Sequence, residues 1–114
     1  MGKFIIDSQI CTNDEQSKQL LKMGLNPDSA DMALHFGYVD TEGTAYYMPC
    51  PIGHKCTGIL PAWSLARLVA IAFDQNGPDS VIHLYRHSDP FEDVIAFLDY
   101  QIERGFIKPE YLKQ

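Results

Sequence analysis

The most apolar stretch of the chain runs from Leu60 to Phe73, and Arg67 is the only charged residue within it. A helix with so little polar surface is stable only when other elements cover it, so this stretch predicts a buried central helix. Ser64 is expected to cap its start, because a serine hydroxyl accepts a hydrogen bond from the amide three residues later. Asn76-Gly77-Pro78 is expected to end the helix, since glycine permits the left-handed cap. Trp63, just before the cap, should be sealed from water.

Two helical segments are predicted before this stretch. Residues 1–11 hold one short apolar run, which fits an extended arm or an edge strand. Thr12 and Glu15 have the spacing of a capping box, which predicts a helix from Asn13 to a stop at Gly24. Proline at the first helical position then predicts a second short helix over Pro27–Met32.

Two runs rich in tyrosine, phenylalanine and valine, Leu34–Val39 and Thr44–Met48, predict a β-hairpin. The residues between them, Asp40-Thr41-Glu42-Gly43, have the composition of a turn. Because side chains alternate across a strand, Leu34, Phe36 and Tyr38 should share one face. Ala33, His35 and Gly37 should then occupy the other face.

The remaining pattern predicts a loop, a strand and a last helix. Three prolines and two glycines in Pro49–Pro61 indicate an irregular loop. Alternating residues over Val81–Arg86 indicate a third strand. Asp89, followed by proline, should cap a helix that ends at Gly105, with apolar residues at helical spacing. Phe106 and Ile107 should fold back on the helix end.

Together these elements predict a single α+β domain over residues 1–114, in the order α-α-β-β-α-β-α. The simplest sheet has three antiparallel strands in the order 2-1-3, with the central helix as the crossover to the third strand. Helices would cover one face of this sheet and leave the other open.

Composition narrows the classes of partner. The 114 residues carry a net charge of −6, which disfavours nucleic acid and anionic membrane surfaces. Two short helices around Gly24 invite a helix-turn-helix interpretation, but Asp28 and Asp31 on the second would repel phosphate. No apolar run is long enough to span a membrane and no secretory signal is evident, so a cytoplasmic protein with reduced thiols is expected.

Several short patterns resemble a family of small uncharacterised proteins found in prophages and mobile elements of gut bacteria. The residues that carry the resemblance are Glu15-Gln16-Ser17-Lys18, Leu20-Leu21, Gly24-Leu25, Pro27, Ala30-Asp31-Met32, Pro61-Ala62-Trp63-Ser64-Leu65 and Gly105-Phe106-Ile107. The resemblance implies an accessory protein of a bacterial mobile element, and it implies no activity and no site residues.

Cys50, His54 and Cys56 form the sharpest cluster of chemically active side chains. Thiolate and imidazole are zinc ligands, and a loop can wrap a small ion. A fourth ligand would have to come from Cys11 or from one of the other histidines, His35, His83 and His87. The spacing departs from the usual paired ligands, so a proline-rich loop that carries two thiols is the plainer interpretation, and no cofactor is expected.

The open face of the predicted sheet is the second candidate site. There His35, His83 and Tyr85 would combine apolar area with hydrogen-bonding groups, as interaction surfaces do. No motif marks a catalytic residue. The sequence therefore favours a non-enzymatic protein that binds a protein partner. A second copy of the chain is one candidate for that partner. The alternative is a small metal-binding module or thiol enzyme that uses Cys50, His54 and Cys56.

Overall fold

The chain folds as an α+β protein in a computed structural model that describes residues 3–4, 9–51, 60–74 and 89–113. The described strands are β1 (Lys3–Phe4), β2 (Met32–Val39), β3 (Ala45–Pro51) and β4 (Leu60–Ala62). The described helices are α1 (Asp14–Met23), α2 (Leu65–Phe73) and α3 (Pro90–Glu103), with short 3-10 turns at Pro27–Ser29 and Pro109–Tyr111.

The four strands form one mixed sheet in the order β1-β3-β2-β4. The predicted hairpin is confirmed, because β2 and β3 pair antiparallel. The prediction of a three-stranded antiparallel sheet is wrong in detail. β1 pairs with β3 in parallel, and β4 pairs with β2 on the side away from β3. The third strand predicted at Val81–Arg86 lies outside the described residues.

The predicted irregular loop over Pro49–Pro61 is wrong at both ends. β3 continues to Pro51, and Pro61 lies in the middle of β4. Proline has no N–H, so it fits a strand only where that position faces an edge. β1 pairs only with Tyr46 and Tyr47, which leaves the later part of β3 without a described neighbour on that side. Residues 52–59 lie outside the described part of the chain.

Helix α1 begins one residue later than predicted, with a different capping box. Asn13, and not Thr12, accepts from the amide of Gln16 at 2.8 Å, and the Gln16 side chain accepts from the amide of Asn13 at 3.1 Å. Thr12 is used in the core instead, where its hydroxyl accepts from the Trp63 amide at 3.1 Å. Gly24 ends the helix in the left-handed conformation, with φ 106°.

The second predicted helix is reduced to the 3-10 turn Pro27–Ser29. Met32 cannot be helical, because it starts β2 and pairs with Ala62 of β4 on one side and Pro51 of β3 on the other. Sheet pairing therefore overrides the local proline signal.

Helix α2 starts as predicted, with the Ser64 hydroxyl accepting from the Arg67 amide at 3.1 Å. It ends at Phe73, and the predicted stop at residues 76–78 lies outside the described residues. The helix is not covered all round, because Ala66 and Ala70 are exposed. α2 lacks a polar face because its exposed positions carry alanine, a small residue with a high helix propensity.

Helix α3 follows the prediction closely. The Asp89 carboxylate accepts from the Phe91 amide at 2.9 Å, and Phe91, Val94, Ile95 and Leu98 are buried. Gly105 has φ 74°, and the Phe106 amide donates to the Gln101 carbonyl at 2.9 Å. Beyond it Ile107 is buried as expected, but Phe106 is 55 % exposed.

Two apolar clusters hold these elements. The larger joins the helices around Trp63, which is fully buried together with Leu68 and Leu98. The smaller lies on the sheet, where Cys11, Leu34 and Ala62 are buried. Leu34 is thus the last fully buried residue of β2, and the rest of that strand runs beyond the core.

Candidate functional site

Exposure rises steadily along β2 beyond Leu34. Phe36 is 39 % exposed, Tyr38 51 % and Val39 54 %, and on β3 Met48 is 37 % exposed. We call the group of Phe36, Tyr38, Val39, Tyr46, Tyr47 and Met48 the hairpin surface. Tyr46 and Tyr47 are half-buried, and Tyr47 also packs against the smaller core cluster. Exposed apolar side chains gathered on one hairpin are typical of an interaction site, whereas single ones are common on any protein.

The two faces of the hairpin are set by a shift in register. Phe36 pairs with Tyr47, but Tyr38 pairs with Tyr46, so Gly37 is the extra residue of a bulge. Partners across a strand pair point to the same face and neighbours along a strand point to opposite faces. Tyr38 therefore faces away from Phe36, which corrects the prediction that Leu34, Phe36 and Tyr38 share one face.

Ring contacts agree with this assignment. The rings of Tyr38 and Tyr46 stack with centroids 4.7 Å apart and planes 12° apart. The rings of Phe36 and Tyr47 meet edge to face at 5.9 Å. Each face of the hairpin thus carries one aromatic pair, and such pairs hold each other's orientation.

The turn at the end of the hairpin is ordered by Asp40. One carboxylate oxygen accepts from the amides of Glu42 and Thr44, both at 2.9 Å. The Asp40 amide also donates to the Thr44 carbonyl at 3.0 Å. Gly43 has φ 84°, a conformation that glycine adopts without strain. The predicted turn is confirmed.

The turn carboxylate is also the main charge beside the tyrosine pair. The hydrogen bond from the Thr44 amide lowers the pKa of Asp40 most. The hydrogen bonds from the Glu42 amide and the Tyr46 hydroxyl lower it further. Loss of water contact, and then the charge of Asp40, raises the pKa of Tyr46. At neutral pH Asp40 is therefore ionised and Tyr46 keeps its proton.

Of the residues predicted for the open sheet face, His35 alone is described. It lies half-buried on β2, opposite Met48, on the same face as the Tyr38–Tyr46 pair. His83 and Tyr85 lie outside the described residues. The sequence prediction places Tyr38 on the face of Leu34 and Phe36 and so misses its position beside Tyr46, although an isolated glycine within a strand is a signal of a bulge.

Of the predicted metal ligands, Cys50 is described, and His54 and Cys56 lie outside the described residues. Cys50 is buried on β3. Cys11 is fully buried, and burial raises the pKa of its thiol to about 12, with smaller contributions from Asp31 and Cys50. Within the described ranges, no three histidine, cysteine or acidic side chains come together as metal ligands would.

The charge of the hairpin is one-sided. Residues 32–51 contain the carboxylates Asp40 and Glu42 and no lysine or arginine. The hairpin surface therefore combines exposed aromatic rings with negative charge. Chemically it can pack against apolar groups and attract cations.

Comparison with known proteins adds no relative. The chain matches no protein-family model, no curated protein and no solved structure. In the described portion of the chain, every helix is too short or too polar to cross a lipid bilayer. The function is therefore inferred from the residues of the hairpin surface.

Proposed function

We propose that this protein is a non-enzymatic interaction protein that binds a protein partner through the hairpin surface. The observation that carries the proposal is the exposure of Phe36, Tyr38, Val39 and Met48 on one hairpin that runs beyond the core. Burying such side chains against a partner is favourable, at roughly 25 cal/mol per Å² of apolar area. Tyrosine and methionine are also enriched at protein interfaces.

The geometry favours a preformed surface. The two aromatic pairs fix the rings of both faces, and the Asp40 hydrogen bonds order the turn between the strands. A partner would therefore lose little binding free energy in ordering these side chains. The partner is a different protein or a second copy of the chain, since a symmetric dimer uses the same patch on both subunits.

Photo-crosslinking tests the proposal directly. A photoreactive amino acid is placed at Val39 of the full chain, and a matched one at Ala70, which is exposed on α2. In cells that carry the gene, a defined adduct should form from position 39 and not from position 70. The double substitution Phe36→Ser with Tyr38→Ser should abolish it. Equal adducts from both positions would reject the hairpin as the contact site.

Sedimentation velocity separates the two kinds of partner. If the partner is a second copy, the purified chain should form dimers that the same double substitution dissociates. If the wild-type chain stays monomeric at high concentration and position 39 also gives no adduct, the interaction proposal fails.

We also propose, from the resemblance alone, that the protein serves as a cytoplasmic accessory factor of a bacterial phage or mobile element. The test is whether the gene lies within an excisable element. Deleting it should change excision, transfer or phage yield without affecting growth of the host. A gene embedded in a housekeeping operon would contradict this setting.

The alternative remains a zinc module or thiol enzyme based on Cys50, His54 and Cys56. Its support is the residue types, since thiolate and imidazole bind zinc. Metal analysis of protein purified without added zinc tests the zinc module. Less than half an equivalent of zinc per chain would reject the zinc site. The variant His54→Ala should lower the zinc content if the site exists, whereas His35→Ala tests one of the four candidate fourth ligands.

A further inference from the structure

We infer that the hairpin surface binds a basic segment of its partner protein, with a lysine or arginine side chain held between the Tyr38 ring and the turn carboxylates of Asp40 and Glu42. This inference rests on the proposed function and specifies the chemistry of the partner.

Tyr38 presents an exposed face of its aromatic ring. Tyr38 stacks on Tyr46 with one face, yet half of its surface stays exposed. The face of a tyrosine ring carries negative charge density and attracts cations that lie within about 6 Å. Stacking also fixes the ring, so a cation meets a preformed site.

Two other tyrosines of this chain already have an arginine over the ring. The guanidinium of Arg104 lies 4.9 Å from the ring centroid of Tyr100, and that of Arg67 lies 5.5 Å from that of Tyr111. Among the described side chains, no arginine takes the same position over Tyr38. Within the described ranges, the ring face of Tyr38 that does not stack on Tyr46 is open to a cation supplied by another molecule.

The charges around Tyr38 complement a cation. Asp40 is ionised at neutral pH, Glu42 is exposed beside it, and residues 32–51 supply no lysine or arginine. Lys3 of β1 pairs with Tyr46, shares the face of Tyr46 and Tyr38, and adds a small contribution to the lowered pKa of Asp40. It approaches from the Tyr46 side, across β3 from the ring face that Tyr38 turns away from Tyr46. A cation on the free side of Tyr38 would be attracted by the carboxylates as well as by the ring.

The same charges argue against other occupants. A second copy would bring its own acidic turn and a further net charge of −6 to the contact. Nucleic acid would bring phosphates, which these carboxylates repel. A basic protein segment is therefore the occupant that the described charges favour.

The experiment uses the full chain, labelled with ¹⁵N, and a short acetylated peptide of alternating arginine and glycine. The matched probe replaces each arginine with citrulline, which keeps the shape and removes the charge. The arginine peptide should shift the amide signals of Tyr38 and Thr44, and salt should weaken its binding. The citrulline peptide should shift neither.

Variants assign the binding to the site. Tyr38→Ala should weaken arginine-peptide binding by about fivefold or more, the scale of a lost cation–ring contact. Tyr38→Leu, which keeps the apolar area, should weaken it similarly, and Glu42→Gln should do so in low salt. Tyr100→Ala is the matched control, because that ring already faces Arg104, and should bind like the wild type.

Three results would overturn the inference: equal binding of the citrulline peptide, shifts confined to other regions, or wild-type affinity in Tyr38→Ala. None of them would affect the position-39 adduct, which tests whether the hairpin contacts a protein at all. An adduct without arginine-peptide binding rejects only the basic partner. Loss of both rejects the proposed function as well.

Discussion

The indole Nε1 of Trp63 donates a hydrogen bond to the hydroxyl of Ser29 at 3.0 Å. The same hydroxyl donates to the carbonyl of Asn26 at 2.6 Å. Both Trp63 and Ser29 are buried, so this chain of hydrogen bonds joins the start of α2 to the corner after α1 without water. A polar atom in such a place must be paired, because an unpaired one is costly.

Trp63→Phe should destabilise the fold by about 2–4 kcal/mol, through a smaller ring and a lost hydrogen bond in a closed core. Urea unfolding followed by circular dichroism measures this, since the variant lacks the tryptophan fluorescence. Ser29→Ala should cost about 1–2 kcal/mol, and the two losses should not add, because they share one hydrogen bond. A loss below about 0.5 kcal/mol in Trp63→Phe would contradict its place at the centre of the core.

Ser64 stabilises the start of α2 in two ways. Its hydroxyl caps the Arg67 amide and donates to the Asp31 carboxylate at 2.5 Å. Ser64→Ala should therefore reduce the free energy of unfolding by about 1–2 kcal/mol. Ser64→Thr keeps the hydroxyl and should lose much less. Equal losses in the two variants would show that the hydroxyl is not what stabilises the helix start.

Asp74 holds the C-terminal segment against α2. It forms an ion pair with Lys108 at 2.8 Å and accepts from the Tyr111 hydroxyl. The Lys108 contact and then the Tyr111 hydroxyl lower the pKa of Asp74 below its ordinary 3.8. A lowered pKa favours the folded state above pH 3.8, and that contribution is lost as the pH falls through the folded value.

Amide exchange in the C-terminal segment tests the role of Asp74. The Lys113 amide donates to the Gly24 carbonyl at 2.8 Å and reports whether the segment is docked. Asp74→Asn should lower its protection factor at pH 6, while the wild type should lose protection only below pH 3.8. Asp99→Asn, at an exposed position on α3, is the control and should behave like the wild type. Unchanged protection in Asp74→Asn would show that the apolar contacts alone dock the segment.

The Cys11 thiol should be inert in the folded protein. With a pKa of about 12 and no exposed surface, it is ionised in only about one molecule in 10⁵ at pH 7. Iodoacetamide at pH 8 should modify Cys11 only in urea, as peptide mapping by mass spectrometry can show. Modification of Cys11 in the native protein at the rate of glutathione would contradict its burial.

Local chemistry in the sequence determined the helix starts at Ser64 and Asp89, the stops at Gly24 and Gly105, and the hairpin turn. These features depend on neighbours within a few residues, since caps and turns satisfy backbone groups locally. The same reasoning placed Trp63 in the core.

Tertiary contacts decided the features that the sequence predicted wrongly. Proline at residue 27 favoured a helix, but pairing of Met32 with two strands limits it to one turn. Prolines 49 and 61 suggested a loop, but sheet edges accommodate them. These outcomes depend on which strand lies beside which, and sequence neighbours do not contain that information.

The candidate site also combines features that follow from local sequence with features that depend on tertiary contacts. An aromatic hairpin with an acidic turn can be predicted from the residues alone, because composition and spacing suffice for both. The position of Tyr38 against Tyr46 depends on the folded sheet. One extra residue at Gly37 reverses every later side chain of the strand, and that register is fixed by pairing with β3.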